Sequence, residues 1–243
     1  MSMITTGLNE LDRIIDGLKG GQLIMIAARP AMGKTTFAMN VVENVCIKED
    51  KGVLFFSGKM SREKFTKRFL ELRSGIAPGK NNQGIIDDEK LVFVEICSLE
   101  IKHIKQYLEK NEKLSLVVID YLQIMNPSEE ESFASRSKEI LSILTDLKKL
   151  AEEFNISIMV LSQLSRALEG RKDHRPILTD IRESRYAAEK CDSVIFLYRD
   201  DYYHNIHRID QEGEIIVAKH PNINGNPKTV KVKYSHETGF MNI

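Results

Sequence analysis

Continuous apolar runs at residues 22–27, 52–57, 91–96, 114–120, 156–161 and 193–198 predict buried strands, and polar or glycine-bearing breaks separate them. Between these runs the apolar positions recur at helical spacing. Residues 37–46 and 61–73 read as helices, and 99–111 alternates apolar and charged residues with a helical period. A long helix is predicted over 136–154, where Ile140, Leu144, Leu147, Leu150 and Ala151 share one face. Residues 4–21 predict a short amphipathic helix carrying Leu8, Leu11, Ile14 and Ile15, ended by Gly17, Gly20 and Gly21. Toward the other end, 213–220 and 228–234 read as an edge hairpin around the turn-rich 221–227. The segments 74–90, 126–135 and 165–192 are polar or charged and read as loop with short helix. No internal repeat and no second core is evident, so the expectation is a single domain over 1–243.

At 243 residues the chain suffices for one large α/β domain with a full core. Its 35 basic residues balance 35 acidic ones, so any nucleic-acid binding must come from local patches. One modest patch lies in 59–73, where six Lys/Arg face two Glu, a composition that also suits a solvated helix face. Cys46, Cys97 and Cys191 are odd in number, widely separated and without zinc spacing, which argues against a disulfide framework. The chain's first residues lack the basic-then-apolar order of a signal peptide, and no apolar run is long enough to span a membrane. A cytoplasmic location is therefore expected.

Chemistry concentrates where the first apolar run meets the next helix. Ala28, Arg29, Pro30, Ala31, Met32, Gly33, Lys34, Thr35 and Thr36 form a strand–loop–helix passage containing Gly-Lys-Thr, the context of a phosphate-binding loop. Backbone N–H groups converge at such a helix start, and the helix dipole adds positive potential. Lys34 would reach the outer phosphates and Thr35 would place its hydroxyl on Mg²⁺. The strict pattern opens with Gly where Ala28 stands here; the flanking strand and helix supply the context that the pattern lacks. The run 114–120 ends in Asp120, and ligands of a parallel sheet sit beyond the carboxyl ends of strands. An Asp there would hold Mg²⁺ opposite Lys34 and Thr35. Gln163, just past another strand, is a candidate to sense a γ-phosphate or orient water.

Taken in order, these motifs resemble the C-terminal motor domain of DnaB-type replicative helicases, within the RecA-like P-loop ATPases. The likeness runs from about Thr5 onward. It rests on 27–40 (AARPAMGKTTFAMN), 118–123 (VIDYLQ), 161–166 (LSQLSR), 175–184 (RPILTDIRES) and 196–202 (FLYRDDY). The resemblance implies a twisted, mostly parallel sheet flanked by helices, with ATP and Mg²⁺ as cofactors. It also implies a hexameric ring with single-stranded DNA in its channel, contacted around 179–192 by Arg182, Glu183 and Arg185. Lys219 would lie at the subunit interface. The family's N-terminal primase-binding domain and linker helix are not expected within these residues.

Three positions depart from the family's pattern. Where the family reads Ser-Leu-Glu-Met, with Glu as the general base, this chain has Ser57, Gly58, Lys59 and Met60. A protonated lysine has no acceptor and cannot polarise water; it would instead pair with phosphate or turn to solvent. Where the family carries an arginine finger two residues after Lys219, this chain has Pro221. Such a finger is worth roughly 10³–10⁵ in rate. Beyond Arg182, Glu183 and Ser184, a glycine-containing stretch is replaced by Arg185 and Tyr186. Two functions follow from these readings. One is an ATP-binding replicative helicase domain with impaired hydrolysis. The other is a degenerate relative that associates with an active helicase and regulates its loading or assembly.

Overall fold

In the computed structural model, which describes residues 3–74, 90–127, 133, 135–181, 187–204 and 211–243, the apolar runs become neighbours in one sheet. A two-residue ribbon, β1 (Met3–Ile4) against β2 (Leu18–Lys19), brackets helix α1 (Asn9–Ile15). There follow β3 (Leu23–Ala28), α2 (Lys34–Glu43), β4 (Gly52–Ser57), α3 (Arg62–Ser74), β5 (Leu91–Glu95), α4 (Ile101–Lys110) and β6 (Leu114–Asp120). The chain continues through α5 (Arg136–Glu153), β7 (Ser157–Gln163), α6 (Ala187–Lys190), β8 (Ser193–Arg199), α7 (Asp201–His204), β9 (Gln211–Lys219), β10 (Lys228–Ser235) and β11 (Gly239–Met241). The strand order is β11-β10-β9-β8-β3-β7-β6-β4-β5. From β8 to β5 the strands run parallel, and β9, β10 and β11 extend the sheet antiparallel beyond β8.

The parallel strands are covered on both faces, which is why they read as unbroken apolar runs. In β3, Ile24, Ile26 and Ala28 pack toward α1, α2 and α3, with Leu11, Phe37, Val41, Phe65 and Phe69. Leu23, Met25 and Ala27 pack toward α4 and α5, with Ile104, Leu108, Ile140, Leu144 and Leu147. The face predicted for α5 is buried, and Ile143 joins it. Each such side chain contributes about 1.5–3 kcal/mol on burial, so packing rather than propensity holds this helix. Strand β10 is covered on one side only and alternates: Val230, Val232 and Tyr234 are buried, Lys231 and Lys233 exposed.

Two expectations are corrected. The helix over 4–21 shrinks to Asn9–Ile15. The Asp12 carboxylate accepts from the N–H groups of Thr6 (2.8 Å) and Gly7 (3.2 Å) and from the Thr6 hydroxyl (2.9 Å), which pins the lead-in outside the helix. Asp16, at φ 54°, then ends the helix in the left-handed region. The hairpin β9–β10 is not at the edge, because Gly239–Met241 pairs with Lys233, Tyr234 and Ser235 as a further strand. Three residues are too few for a period to show in sequence. The expected loop over 74–90 falls almost entirely outside the described residues.

Candidate functional site

The loop between β3 and α2 opens at the carboxyl edge of the sheet, beside the ends of β7 and β6. Ala28, the last residue of β3, is buried, and its carbonyl accepts from Leu164 N–H (3.2 Å) and Lys34 Nζ (2.9 Å). Being a strand residue, it has no need of the freedom a glycine would give. Lys34 Nζ also donates to the Arg29 carbonyl (3.1 Å), so the ammonium lies across the loop it caps. Pro30 and Ala31 are exposed, Ala31 sits at φ 61°, and Met32 anchors the loop in the core. Gly33 at φ 97° opens α2. A Cβ at Gly33 would also lie 2.9 Å from Phe240 Cε2 and 3.2 Å from Tyr234 Cε2, so glycine is required on two counts. Arg29 directs its guanidinium away from the cradle: Nε (2.9 Å) and Nη2 (2.6 Å) donate to Glu169 Oε1, and Nη1 donates to the Leu164 carbonyl (2.9 Å).

Asp120 ends β6 beside this loop. Thr35 Oγ1 donates to Asp120 Oδ2 at 2.7 Å, bringing the two candidate magnesium ligands into contact. The Asp120–Tyr121 peptide is cis. Burial pushes the Asp120 carboxyl above its ordinary range, against the Thr35 hydrogen bond and the charges of Lys59 and Lys34. Lys34 is lowered to about 8, by burial first and then by the Lys59 charge, with Asp120 opposing. Lys59 itself is exposed, in a turn held by Ser57, whose hydroxyl accepts from the N–H groups of Lys59 (3.4 Å) and Met60 (3.1 Å). Gln163, the last residue of β7, is half-buried and pairs in register with Ala28.

The wall of the loop is built by residues that the sequence did not nominate. Arg199, buried at the end of β8, donates to Asp201 (2.6 Å), to Gln211 (2.6 Å) and to the Ala31 carbonyl (3.4 Å), and lies 3.9 Å from the centre of the Tyr234 ring. Asn40 in α2 accepts from Phe240 N–H (2.9 Å) and donates to the Thr238 carbonyl (3.1 Å), tying β11 to the helix that starts at the loop. Gly239 approaches Thr36 and Asn40 so closely that a Cβ would lie 2.8 Å from Thr36 Cγ2. For Arg199, a place at the carboxyl end of an apolar strand was an available signal; nothing local links Phe240 to Gly33.

Residues 3–95 and 81–242 match the model of the DnaB-like helicase C terminal domain. The chain belongs to this family. The replicative DNA helicase DnaB of Geobacillus stearothermophilus is 38% identical over 99% of this chain and 56% of its own length. The replicative DNA helicase DnaC of Bacillus subtilis is 37% identical with the same coverage. The chain thus spans about half the length of the curated relatives it matches. Among solved structures, an ATPase domain superposes with a TM-score of 0.86 at 32% identity, over 100% of this chain and 92% of that one. A DnaB-like replicative helicase studied with primase gives 0.86 and 32% over 62% of its chain.

In this DnaB-like chain, Lys219 is engaged internally. Its Nζ donates to the carbonyls of Ala188 (2.9 Å), Glu189 (3.0 Å) and Cys191 (2.7 Å), capping α6. Pro221 opens a short 3₁₀ turn, Pro221–Ile223, and the His220 ring accepts from Asn222 N–H (3.1 Å). Lys219 lies at the sheet end opposite the phosphate loop, because β9 runs antiparallel to β8 and Lys219 pairs with Val194. Arg182, Glu183 and Arg185 lie outside the described residues. Among the described residues no helix is long and apolar enough to cross a membrane.

Proposed function

We propose that this chain is the ATP-binding motor domain of a DnaB-like replicative helicase, acting on single-stranded DNA in a cytoplasmic hexamer, with hydrolysis impaired. The observation that carries it is the juxtaposition of Gly33, Lys34 and Thr35 with Asp120. It provides a ready phosphate cradle, a cation for the outer phosphates and two oxygens suited to Mg²⁺. When bound, Mg²⁺ would neutralise phosphate charge. The chain's own groups would orient the triphosphate: loop N–H groups and Lys34 from one side, Asp120 and Gln163 from the other. Arg182, Glu183 and Arg185 carry the DNA contact in this reading, by resemblance, through salt-sensitive phosphate pairing.

Impaired turnover is proposed because Lys59 has no lone pair to polarise water when protonated, and Pro221 stands where the finger belongs. The test is ATP binding and steady-state turnover, with and without single-stranded DNA, for the wild type and Lys59→Glu. Binding with little wild-type turnover supports the proposal, and brisk wild-type turnover refutes the impairment. Absence of nucleotide binding refutes the reading as a whole.

The second reading, a regulator that associates with an active helicase, is favoured by the internal use of Lys219, whose ammonium already caps α6. Adding the chain to an active DnaB-type helicase separates the two. A change in that helicase's loading or ring assembly supports regulation, and independence of the two proteins supports a self-contained motor.

A further inference from the structure

We infer that Lys59 is a built-in counter-cation that lets this site hold a nucleoside triphosphate without a divalent metal. The inference deepens the nucleotide-binding reading and rests on it. Its basis is placement. Ser57 and Asp120 are register partners at the ends of adjacent strands. The next residue, Gly58, donates its N–H to the Asp120 backbone carbonyl (2.8 Å), so Lys59 follows one residue beyond the point where the two strands are joined. The Ser57 hydroxyl accepts from Lys59 and Met60 N–H and donates to the Met60 carbonyl (3.0 Å), which fixes the turn.

Gly58 makes that turn possible. A Cβ there would lie 2.4 Å from Ile124 Cγ2 and 3.2 Å from the Ile96 carbonyl oxygen. The leucine that the family pattern carries at this position would push the turn off Ile124. Gly58 and Lys59 therefore form one device: the glycine lets the turn sit close, and the lysine uses the position. Lys59 is exposed, and its charge helps lower the Lys34 pKa and opposes the rise at Asp120.

Counting charge then decides what the site needs. Lys34 and Lys59 against Asp120 leave one net positive charge. With Glu at position 59 the same three groups leave one net negative charge. A net negative site depends more heavily on a metal to bridge it to a polyphosphate, beyond what the loop N–H groups and the helix start supply. A net positive site attracts the polyphosphate directly and needs less of the charge that Mg²⁺ would bring to Thr35 and Asp120.

The experiment measures binding of a fluorescent, non-hydrolysable ATP analogue to the full chain, in excess Mg²⁺ and in EDTA. Wild type, Lys59→Met, Lys59→Glu and Lys34→Ala are compared, with thermal shift as a second readout. The wild-type Kd is expected to change by less than about threefold on metal removal, about 0.65 kcal/mol. Lys59→Glu is expected to lose about 30-fold or more under the same change, a difference of about 2 kcal/mol, and Lys59→Met to fall between. A wild type as metal-dependent as Lys59→Glu overturns the inference while leaving nucleotide binding intact. Lack of binding by wild type in both conditions overturns the nucleotide-binding reading and this inference with it. Loss in Lys34→Ala with a retained melting transition shows that the signal comes from the phosphate loop.

Discussion

Replacing Thr35 by Val removes one hydroxyl and little else. The two side chains are nearly isosteric, and their helix propensities are close. What is lost is the 2.7 Å bond from Thr35 Oγ1 to the buried Asp120 carboxylate. Bonds to charged groups contribute about 1.5–3 kcal/mol, and that is the expected destabilisation at neutral pH without nucleotide. The cost depends on Asp120 being ionised. Burial already raises its pKa, and the Thr35 bond works against that rise, so removing the bond moves the pKa further up. The bond's contribution is therefore full above the higher Asp120 pKa of the variant and falls, as pH drops from there through the wild-type pKa, to that of a neutral bond. In an Asp120→Asn background the bond is neutral, and the same substitution should cost only about 0.5–1.5 kcal/mol. Urea unfolding of the four proteins at several pH values measures the coupling directly. A cost below about 0.5 kcal/mol, or one equal in both backgrounds and constant with pH, would refute the reasoning.

Three further outcomes are expected. Gly33→Ala combines a left-handed backbone, about 1–2 kcal/mol, with overpacking against Phe240 and Tyr234, about 1–3 kcal/mol. Unfolding curves should show part of the loss recovered in a Phe240→Leu background, and no recovery would place the cost elsewhere. Lys34, lowered to about 8, binds fewer protons in the folded than in the unfolded chain between that value and 10.5, so its contribution makes stability rise with pH across that window. A triphosphate restores its charged form, so calorimetry at pH 8 in buffers of different ionisation enthalpy should detect uptake of about half a proton, absent in Lys34→Met. Lys219→Met removes three carbonyl contacts and should cost about 1–3 kcal/mol with faster amide exchange across α6; unchanged stability with lost assembly would instead assign Lys219 to a subunit interface.

Much of the fold was legible because burial on both faces writes itself into sequence. Strands β4 and β6 have the bounds that their apolar runs predicted, and the face of α5 was read residue by residue. The strand–loop–helix passage around Gly33 was legible because its backbone geometry calls for glycine, and Lys34 and Thr35 meet Ala28 and Asp120 there. What stayed hidden depends on partners distant in sequence. Nothing near Arg29 indicates that Glu169 will take its guanidinium, and nothing near Lys219 announces the open carbonyls of α6. The short strand β11 carries no period, and α1 is trimmed by a side chain, Asp12, whose acceptor role depends on the turn around it.

The packing of Phe240 and Tyr234 onto Gly33 has a consequence for how the protein is made. The aromatic rings that wall the loop leave the ribosome some 200 residues after it. At roughly 5–20 residues per second, that interval is on the order of 10–40 s. Throughout it, Gly33 lacks the Phe240 and Tyr234 rings that pack on it, and Asn40 has no strand to hold. The loop's wall is therefore complete only once β11 docks on α2, some 200 residues of synthesis after the loop itself.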